Sequence, residues 1–277
     1  SDDRIIIFTS GTTGMPKGVR LSYDSYVCNR NTFESFLLPN LSSEKKKNEE
    51  EEGSPASPPP FSAVITNPMH HTNSTSISDW CLRKPKARLH LLSRYTTPYW
   101  KVVVAAAGGV GVSEVVSGRE AKSEEKERVL ECLEKKFQEN HSVICPLVSR
   151  HIDFLSDLTS SSRLPVDQTL LRSASRFTTF LLGSAPVGPS TVRRILDILG
   201  CLPTVRFGST ETCLQVMGTP HESNAPRDAG DALSGDRDTP LKGINLSDLS
   251  PAFQRKIRCM ERGWGHGYKG EKCGGYY

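Results

Sequence analysis

Strand-like runs in this chain end, one after another, in short polar turns. The run Ile5-Ile6-Ile7-Phe8 opens into residues 9–18, residues 61–66 into 67–73, residues 177–182 into 183–186, and residues 204–207 into 208–211. The runs carry β-branched and aromatic residues that suit a pleated sheet, whereas the turns carry Gly, Ser, Thr, Pro and His. Helix-like segments separate several of them. Strands that alternate with helices fold into a largely parallel sheet with helices on its faces, and ligands gather at the carboxyl ends of such strands. The pattern therefore constrains the fold, α/β with parallel-sheet subdomains flanked by helices, and also where a site can lie.

Apolar spacing predicts helices over residues 21–38, with Ser22 as cap, and over 74–82, 120–140, 147–158 and 189–199. Further strands are expected over 88–92, 101–104 and 142–145, and the run at 5–8 reads as buried. In the 120–140 segment Val129, Leu130, Leu133 and Phe137 share one face, the mark of an amphipathic helix. Residues 40–60 are a Glu/Lys run followed by Ser and Pro; they cannot bury apolar surface and read as a disordered insertion. Residues 221–277 are polar and glycine-rich and carry no assignable periodicity. The expected organisation is one partial domain over 1–220 and, after it, a tail or degraded continuation of the same domain.

The first turn, Thr9-Ser10-Gly11-Thr12-Thr13-Gly14-Met15-Pro16-Lys17-Gly18, has the chemistry of a phosphate holder. Glycines let backbone N–H groups approach an anion closely, hydroxyls add donors, and Lys17 adds a mobile point charge. It is not the nucleotide loop G-x-x-x-x-G-K-[ST], since Gly18 follows the lysine. A plain surface turn would use the same residue types. In Gly208-Ser209-Thr210-Glu211 a carboxylate beside a phosphate loop suits Mg²⁺, a hard cation that takes oxygen ligands. The same Ser-Thr-Glu run also suits a helix start. Gly183-Ser184-Ala185-Pro186 is either a flat surface for a base or an ordinary strand-to-helix turn. His70 and His71 end the 61–66 strand, and adjacent histidines point in different directions on any regular element.

Together these motifs resemble the adenylate-forming (AMP-binding) superfamily of acyl-CoA synthetases, luciferases and peptide-synthetase adenylation domains. That family's loop reads aromatic-Thr-Ser-Gly-Thr-Thr-Gly-x-Pro-Lys-Gly-Val, and Phe8 to Val19 follow it without departure. Phe207-Gly208-Ser209-Thr210-Glu211 resembles its aromatic-Gly-x-Thr-Glu motif. The resemblance implies that Thr9, Ser10, Gly11, Thr12, Thr13, Gly14 and Lys17 hold the ATP phosphates and that Glu211 contacts Mg²⁺. It also implies that Thr210 meets the α-phosphate, that Phe207 flanks the adenine with Gly208 and Ser209 beside it, and that Gly183, Ser184, Ala185 and Pro186 form the adenine segment. Lys17, Thr210 and Glu211 would be the catalytic set. Pro68-Met69-His70-His71 resembles the family's Pro-Leu-Phe-His at the acyl pocket, which makes His70 and His71 substrate residues. Ser74 stands where that family usually has Gly, a departure that leaves the pocket shape open. The implied activity is that of a ligase: ATP-dependent activation of a small carboxylic acid to an acyl-adenylate, then transfer to coenzyme A or another thiol. The ribose-binding aspartate motif, the hinge and the mobile C-terminal domain with its catalytic lysine are not recognisable. With Ser1 in place of Met, the expectation is a fragment and an incomplete enzyme. The alternative is a non-catalytic nucleotide-binding or interaction module derived from an adenylation domain.

Bulk properties narrow the partners. The net charge of +4 over 277 residues, with no basic stripe interleaved with aromatics, gives no reason to expect nucleic acid. The most apolar window, 102–116, is too short and too glycine-rich for a membrane span. None of the eight cysteines forms a C-x-x-C pair, and Cys259, His266 and Cys273 fit no zinc spacing. Reduced thiols in an intracellular setting, cytoplasm or organelle, are the expectation. Residues 109–114 lack the small residue that a dinucleotide fingerprint needs, and no G-x-S-x-G elbow supports a serine hydrolase.

Overall fold

The computed structural model of the protein describes residues 2–9, 15–37, 61–116, 123–213 and 217–218. The expected insertion at 40–60 and the tail at 221–277 lie outside the described residues. The described residues form two sheets. A hairpin of β1 (Asp3–Thr9) and β2 (Lys17–Ser22) is followed by α1 (Tyr23–Leu37). The larger sheet is built from β3 (Phe61–Ile65), β4 (Arg88–Leu91), β5 (Ser142–Leu147), β6 (Thr178–Leu182), β7 (Thr204–Phe207) and β8 (Met217–Gly218), in the order β4-β3-β5-β6-β7-β8. All its pairings are parallel except β7 with β8. The helices are α2 (Thr72–Leu82), α3 (Tyr99–Gly108), α4 (Ser123–Gln138), α5 (Ser149–Ser160), α6 (Gln168–Ser175) and α7 (Pro189–Leu199), with a 3₁₀ turn at Val112–Glu114.

Side chains alternate across the strands and so divide the core in two. Val64, Phe180 and Leu182 face one way and pack with α3 to α7, including fully buried Tyr99, Trp100, Leu133, Ile152, Leu170 and Ile195. Ala63, Ile65, Ile144 and Leu181 face the other way and pack with Ile77, Trp80 and Cys81 of α2. The hairpin and α1 lie on the α2 side, where Arg4 forms an ion pair with Asp79. Strand order reverses at β3: β4 lies on one side of it and β5 on the other, so the crevice of the sheet opens at their carboxyl ends.

Three expectations are corrected. Residues 101–104 are not a strand but the middle of α3, which runs from Pro98 to a left-handed Gly109 cap with φ 65°. The Val102-Val103-Val104 run follows strand propensity, but the helix is buried on nearly every side and packing overrides the preference. The first strand does not belong to the parallel sheet; it pairs antiparallel with β2, so Thr9, Lys17 and Gly18 are ladder residues of a hairpin rather than parts of a turn at the end of the parallel sheet. Nor is that strand buried throughout, since Ile6 is 51% and Phe8 69% exposed while Ile7 is buried. Helix α6 was not foreseen; Asp167 caps it by accepting from the amides of Thr169 and Leu170. Ser22 does cap α1, its Oγ accepting from the Ser25 amide at 3.2 Å.

Candidate functional site

The hairpin frames the first turn. Thr9 pairs with Lys17 at its open end, so the two shoulders of the loop are fixed by the β1–β2 ladder. Ser10, Gly11, Thr12, Thr13 and Gly14 lie outside the described residues. Lys17 is exposed and its ammonium acts on the Glu211 carboxylate.

The turn after β7 is ordered by its own hydroxyls. Thr212 Oγ1 accepts from the Ser209 amide at 2.9 Å and donates to the Ser209 carbonyl at 3.0 Å. The Cys213 amide donates to the Thr210 carbonyl at 3.1 Å. Glu211 stands exposed at the crest, and its carboxyl lies below its usual range. Its own backbone N–H contributes most, then the Ser209 hydroxyl and the charge of Lys17. Cys213 holds a left-handed φ of 69° and is buried among Ile7, Leu21 and Tyr26. That packing ties the Glu211 turn to the hairpin and sets Lys17 and Glu211 in electrostatic reach of each other.

The turn after β6 is shaped by close approach. A Cβ on Gly183 would lie 2.9 Å from the Arg206 carbonyl oxygen and 3.1 Å from Arg206 Cγ. Backbone-to-backbone contact therefore suffices to explain this glycine, whatever lies against it. Ser184 holds φ 64°, an uncommon conformation for a residue with a side chain. Ser184, Ala185 and Pro186 are exposed, and Ser149 at the start of α5 donates to the Pro186 carbonyl at 3.0 Å. Phe207 is 63% exposed at the end of β7.

His70 and His71 follow β3 and are both exposed, with ring centroids 4.6 Å apart. Partial desolvation and then the neighbouring His70 lower the His71 pKa. Thr75 Oγ1 donates to the carbonyls of Met69 and His71, and Ser74 Oγ donates to the Asn67 carbonyl at 3.0 Å. Ser74, where glycine was the family expectation, thus anchors the turn to its own helix. β5 and β6 separate β3 from β7, roughly 14 Å across a sheet. The histidines therefore share the sheet edge with the Glu211 turn but not its immediate contacts.

The sequence reading missed Arg206. Its neighbours in register are Gly183, just beyond β6, and Gly218 of β8. It is 7% exposed, its Nη1 has no hydrogen-bond partner among the described residues, and burial pushes the guanidinium down to about 9. The signal was present: alternation in Thr204-Val205-Arg206-Phe207 places the arginine on the inward side with Thr204.

Among the described residues no group of three or more His, Cys, Asp or Glu side chains could hold a metal ion by itself. Glu211 nevertheless fits a divalent cation shared with a phosphate: its carboxylate is exposed and lies below its usual range, beside the Ser209 hydroxyl. No described helix is long and apolar enough to cross a membrane. A groove of ≈ 290 Å³ between α4 and α6, lined by Leu130, Glu134 and Phe177, contains none of the candidate residues.

A parallel α/β sheet whose carboxyl edge carries polar turns, with a separate β-hairpin docked on its α2 side, defines the class of fold. Residues 1–241 match the AMP-binding enzyme family, and the chain belongs to it. Among solved structures, ATP-bound MatB from Rhodopseudomonas palustris is 19% identical with a TM-score of 0.49, over 78% of this chain and 31% of its own. O-succinylbenzoate coenzyme A synthetase (MenE) from Bacillus subtilis, in complex with ATP and magnesium ion, is 18% identical with a TM-score of 0.43, over 78% of this chain and 32% of its own. A malonyl-CoA ligase with methylmalonyl-CoA and AMP bound is 15% identical with a TM-score of 0.48, over 79% of this chain and 35% of its own. The chain thus spans about a third of the length of the solved structures it matches. No curated protein matches it.

Proposed function

We propose that this chain is the nucleotide-binding part of an AMP-forming acid–thiol ligase. A carboxylate oxygen of the acid attacks the α-phosphorus of ATP, the acyl–O–P bond forms, and pyrophosphate leaves with the electron pair of the broken P–O bond. A thiol, coenzyme A in the acyl-CoA synthetase pattern, then attacks the acyl carbon and AMP leaves. The observation that carries this reading is the docking of the Glu211 turn onto the hairpin, through Cys213 buried among Ile7, Leu21 and Tyr26, which leaves Lys17 and Glu211 in electrostatic reach of each other. A cation at a phosphate loop and an ionised carboxylate beside it are what a metal–triphosphate needs on its two sides.

In this reading Thr9, Ser10, Gly11, Thr12, Thr13, Gly14 and Lys17 bind the β,γ-phosphates, and Thr210 donates to the α-phosphate. Phe207, with Gly208 and Ser209, borders the adenine opposite Gly183 to Pro186. His70 and His71 border the acid. Mg²⁺, held by Glu211 and phosphate oxygens, supplies charge neutralisation when bound. The residues hold the two anions together and keep Lys17 aimed at the leaving group.

ATP–pyrophosphate exchange with a panel of carboxylic acids tests the proposal, using the chain within its natural protein. Acid-dependent exchange is expected, falling about 100-fold or more in Glu211→Ala, as for loss of one electrostatic stabiliser. Unchanged exchange in Glu211→Ala and Lys17→Ala would overturn the assignment of these residues. Mg-ATP binding with no exchange for any acid would instead identify a nucleotide-binding module.

A further inference from the structure

The turn after β6 has a strained crest. Ser184, Ala185 and Pro186 are exposed, and Ser184 keeps its left-handed φ of 64°. Among the described residues no backbone hydrogen bond closes the turn over 184–186. Its two ends are anchored, Gly183 against the Arg206 carbonyl and Val187 against the core. A residue with a side chain persists in this conformation only where its surroundings over-determine it. The crest between the anchors therefore needs a holder of its own.

Ser149 fills that place. Its Oγ donates to the Pro186 carbonyl at 3.0 Å, across 37 residues of sequence. A serine at a helix start ordinarily caps its own helix. Here Val148 is the cap residue of α5, and its amide donates to His151 Nδ1 at 3.3 Å. The Ser149 hydroxyl is thereby left for the longer reach. Register explains the meeting. Leu147 pairs with Leu182, and Leu182 with Val205, so two residues further on Ser149, Ser184 and Phe207 stand level across the carboxyl edge. The crest lies between Phe207 on one side and Ser149 on the other. One helical turn along α5, Asp153 meets Arg194 of α7 at 2.7 Å, so the side of α5 that holds the crest also faces the helix into which the turn runs.

We propose that Ser149 is a positioning residue for the nucleobase: by holding the Pro186 carbonyl it keeps the exposed backbone of 184–186 in the shape against which the base lies. This rests on the adenylation reading above, which gives 183–186 to the adenine. A base between Phe207 and the crest does not touch Ser149, which acts from behind the turn. The phosphates are assigned to other elements, the hairpin and the Glu211 turn. Loss of the Ser149 hydroxyl should therefore weaken the base half of the nucleotide and spare the phosphate half.

The test is calorimetric titration of the chain, within its natural protein, with AMP, Mg-ATP and Mg-pyrophosphate. In Ser149→Ala the affinities for AMP and Mg-ATP should fall together by about 3- to 10-fold, the effect of one neutral hydrogen bond, with Mg-pyrophosphate unchanged. Ser149→Thr, which keeps a hydroxyl, should retain most of the wild-type affinity. Asp153→Asn is the control for helix packing: it cuts a partly exposed α5–α7 ion pair without touching the turn, and should leave AMP affinity within about twofold. Urea unfolding verifies that each variant folds. Unchanged AMP affinity in Ser149→Ala overturns the proposal. So do equal losses for AMP and Mg-pyrophosphate, or equal losses in Ser149→Ala and Asp153→Asn, since either would make the serine a general packing residue. Wild-type Mg-ATP binding with unchanged AMP affinity in Ser149→Ala defeats this inference alone; absence of Mg-ATP and AMP binding by the wild type defeats the adenylation reading, and this inference with it.

Discussion

Replacing Gly183 by alanine separates two explanations of the turn after β6. The added methyl would stand 2.9 Å from the Arg206 carbonyl oxygen, a distance Cβ atoms do not tolerate, and 3.1 Å from Arg206 Cγ. Because the nearer atom is backbone, rotating the Arg206 side chain gives no relief; β7 must move away from β6 at Leu182–Val205, or the turn must shift. Overpacking of this kind costs about 1–3 kcal/mol. With a urea m-value of about 1–3 kcal/mol/M, the midpoint should fall by about 1 M. Equilibrium urea unfolding, followed by fluorescence and far-UV circular dichroism, reads it directly. Arg206→Ala in the same chain should not rescue the loss, since it removes Cγ but not the carbonyl. Gly200→Ala is the control: no atom lies within 4 Å of its added methyl, but φ is 75°, so strain alone operates and should cost about 1–2 kcal/mol. If Gly183→Ala leaves the midpoint within about 0.5 kcal/mol of wild type while Mg-ATP affinity collapses, the packing argument is wrong. The glycine would then be kept for a ligand.

Acid should weaken the fold through His141. It is buried between the starts of β3 and β5, with Nε2 3.3 Å from Ser62 Oγ, and burial, aided by Lys136, lowers its pKa from 6.5 to about 4. The unfolded chain therefore binds the extra proton first: stability is intact above pH 6.5 and is lost as pH falls toward 4, by up to about 3 kcal/mol. Urea midpoints at pH 7 and pH 4.5 should converge in His141→Gln relative to wild type; equal pH slopes would refute this. Thiol labelling of the native chain with peptide mapping should find exposed Cys28 far ahead of Cys145 and Cys201, whose thiols burial pushes up to about 12; equal rates would show that the core opens readily. Asp79 pairs with both Arg4 of β1 and Arg83, so Asp79→Asn should loosen the hairpin and cost about 1–2 kcal/mol in urea unfolding. A wild-type midpoint for that variant would mean that the hairpin is held by apolar packing alone.

The parts of the fold that were legible in the sequence are those where local preference and tertiary setting agree. The run Thr178-Thr179-Phe180-Leu181-Leu182 is β-prone and lies in a doubly covered strand, and Pro189 to Leu199 carries its own proline start and glycine stop. Helix α3 was misread because Val102, Val103 and Val104 favour a strand in isolation, and only burial by α4 and α6 makes the helix. Strand β2 was missed because Lys17 to Ser22 shows little apolar alternation, and its partner is supplied by the hairpin. At the candidate site the motif residues were readable as letters. Arg206 was legible only in part: alternation turns it inward with Thr204, but the glycines on both sides of it are set by register.

Among the described residues the hairpin shares no ladder with the main sheet. Its two strands are docked through side chains: Ile7, Leu21, Tyr26 and Cys213 and the Arg4–Asp79 pair. Backbone hydrogen bonds fix register in fixed steps, whereas side-chain docking can be adjusted by small increments. The hairpin is thus a graftable cassette, whose tilt over the sheet can be retuned from Tyr26 or Asp79 without touching a residue that meets ligand.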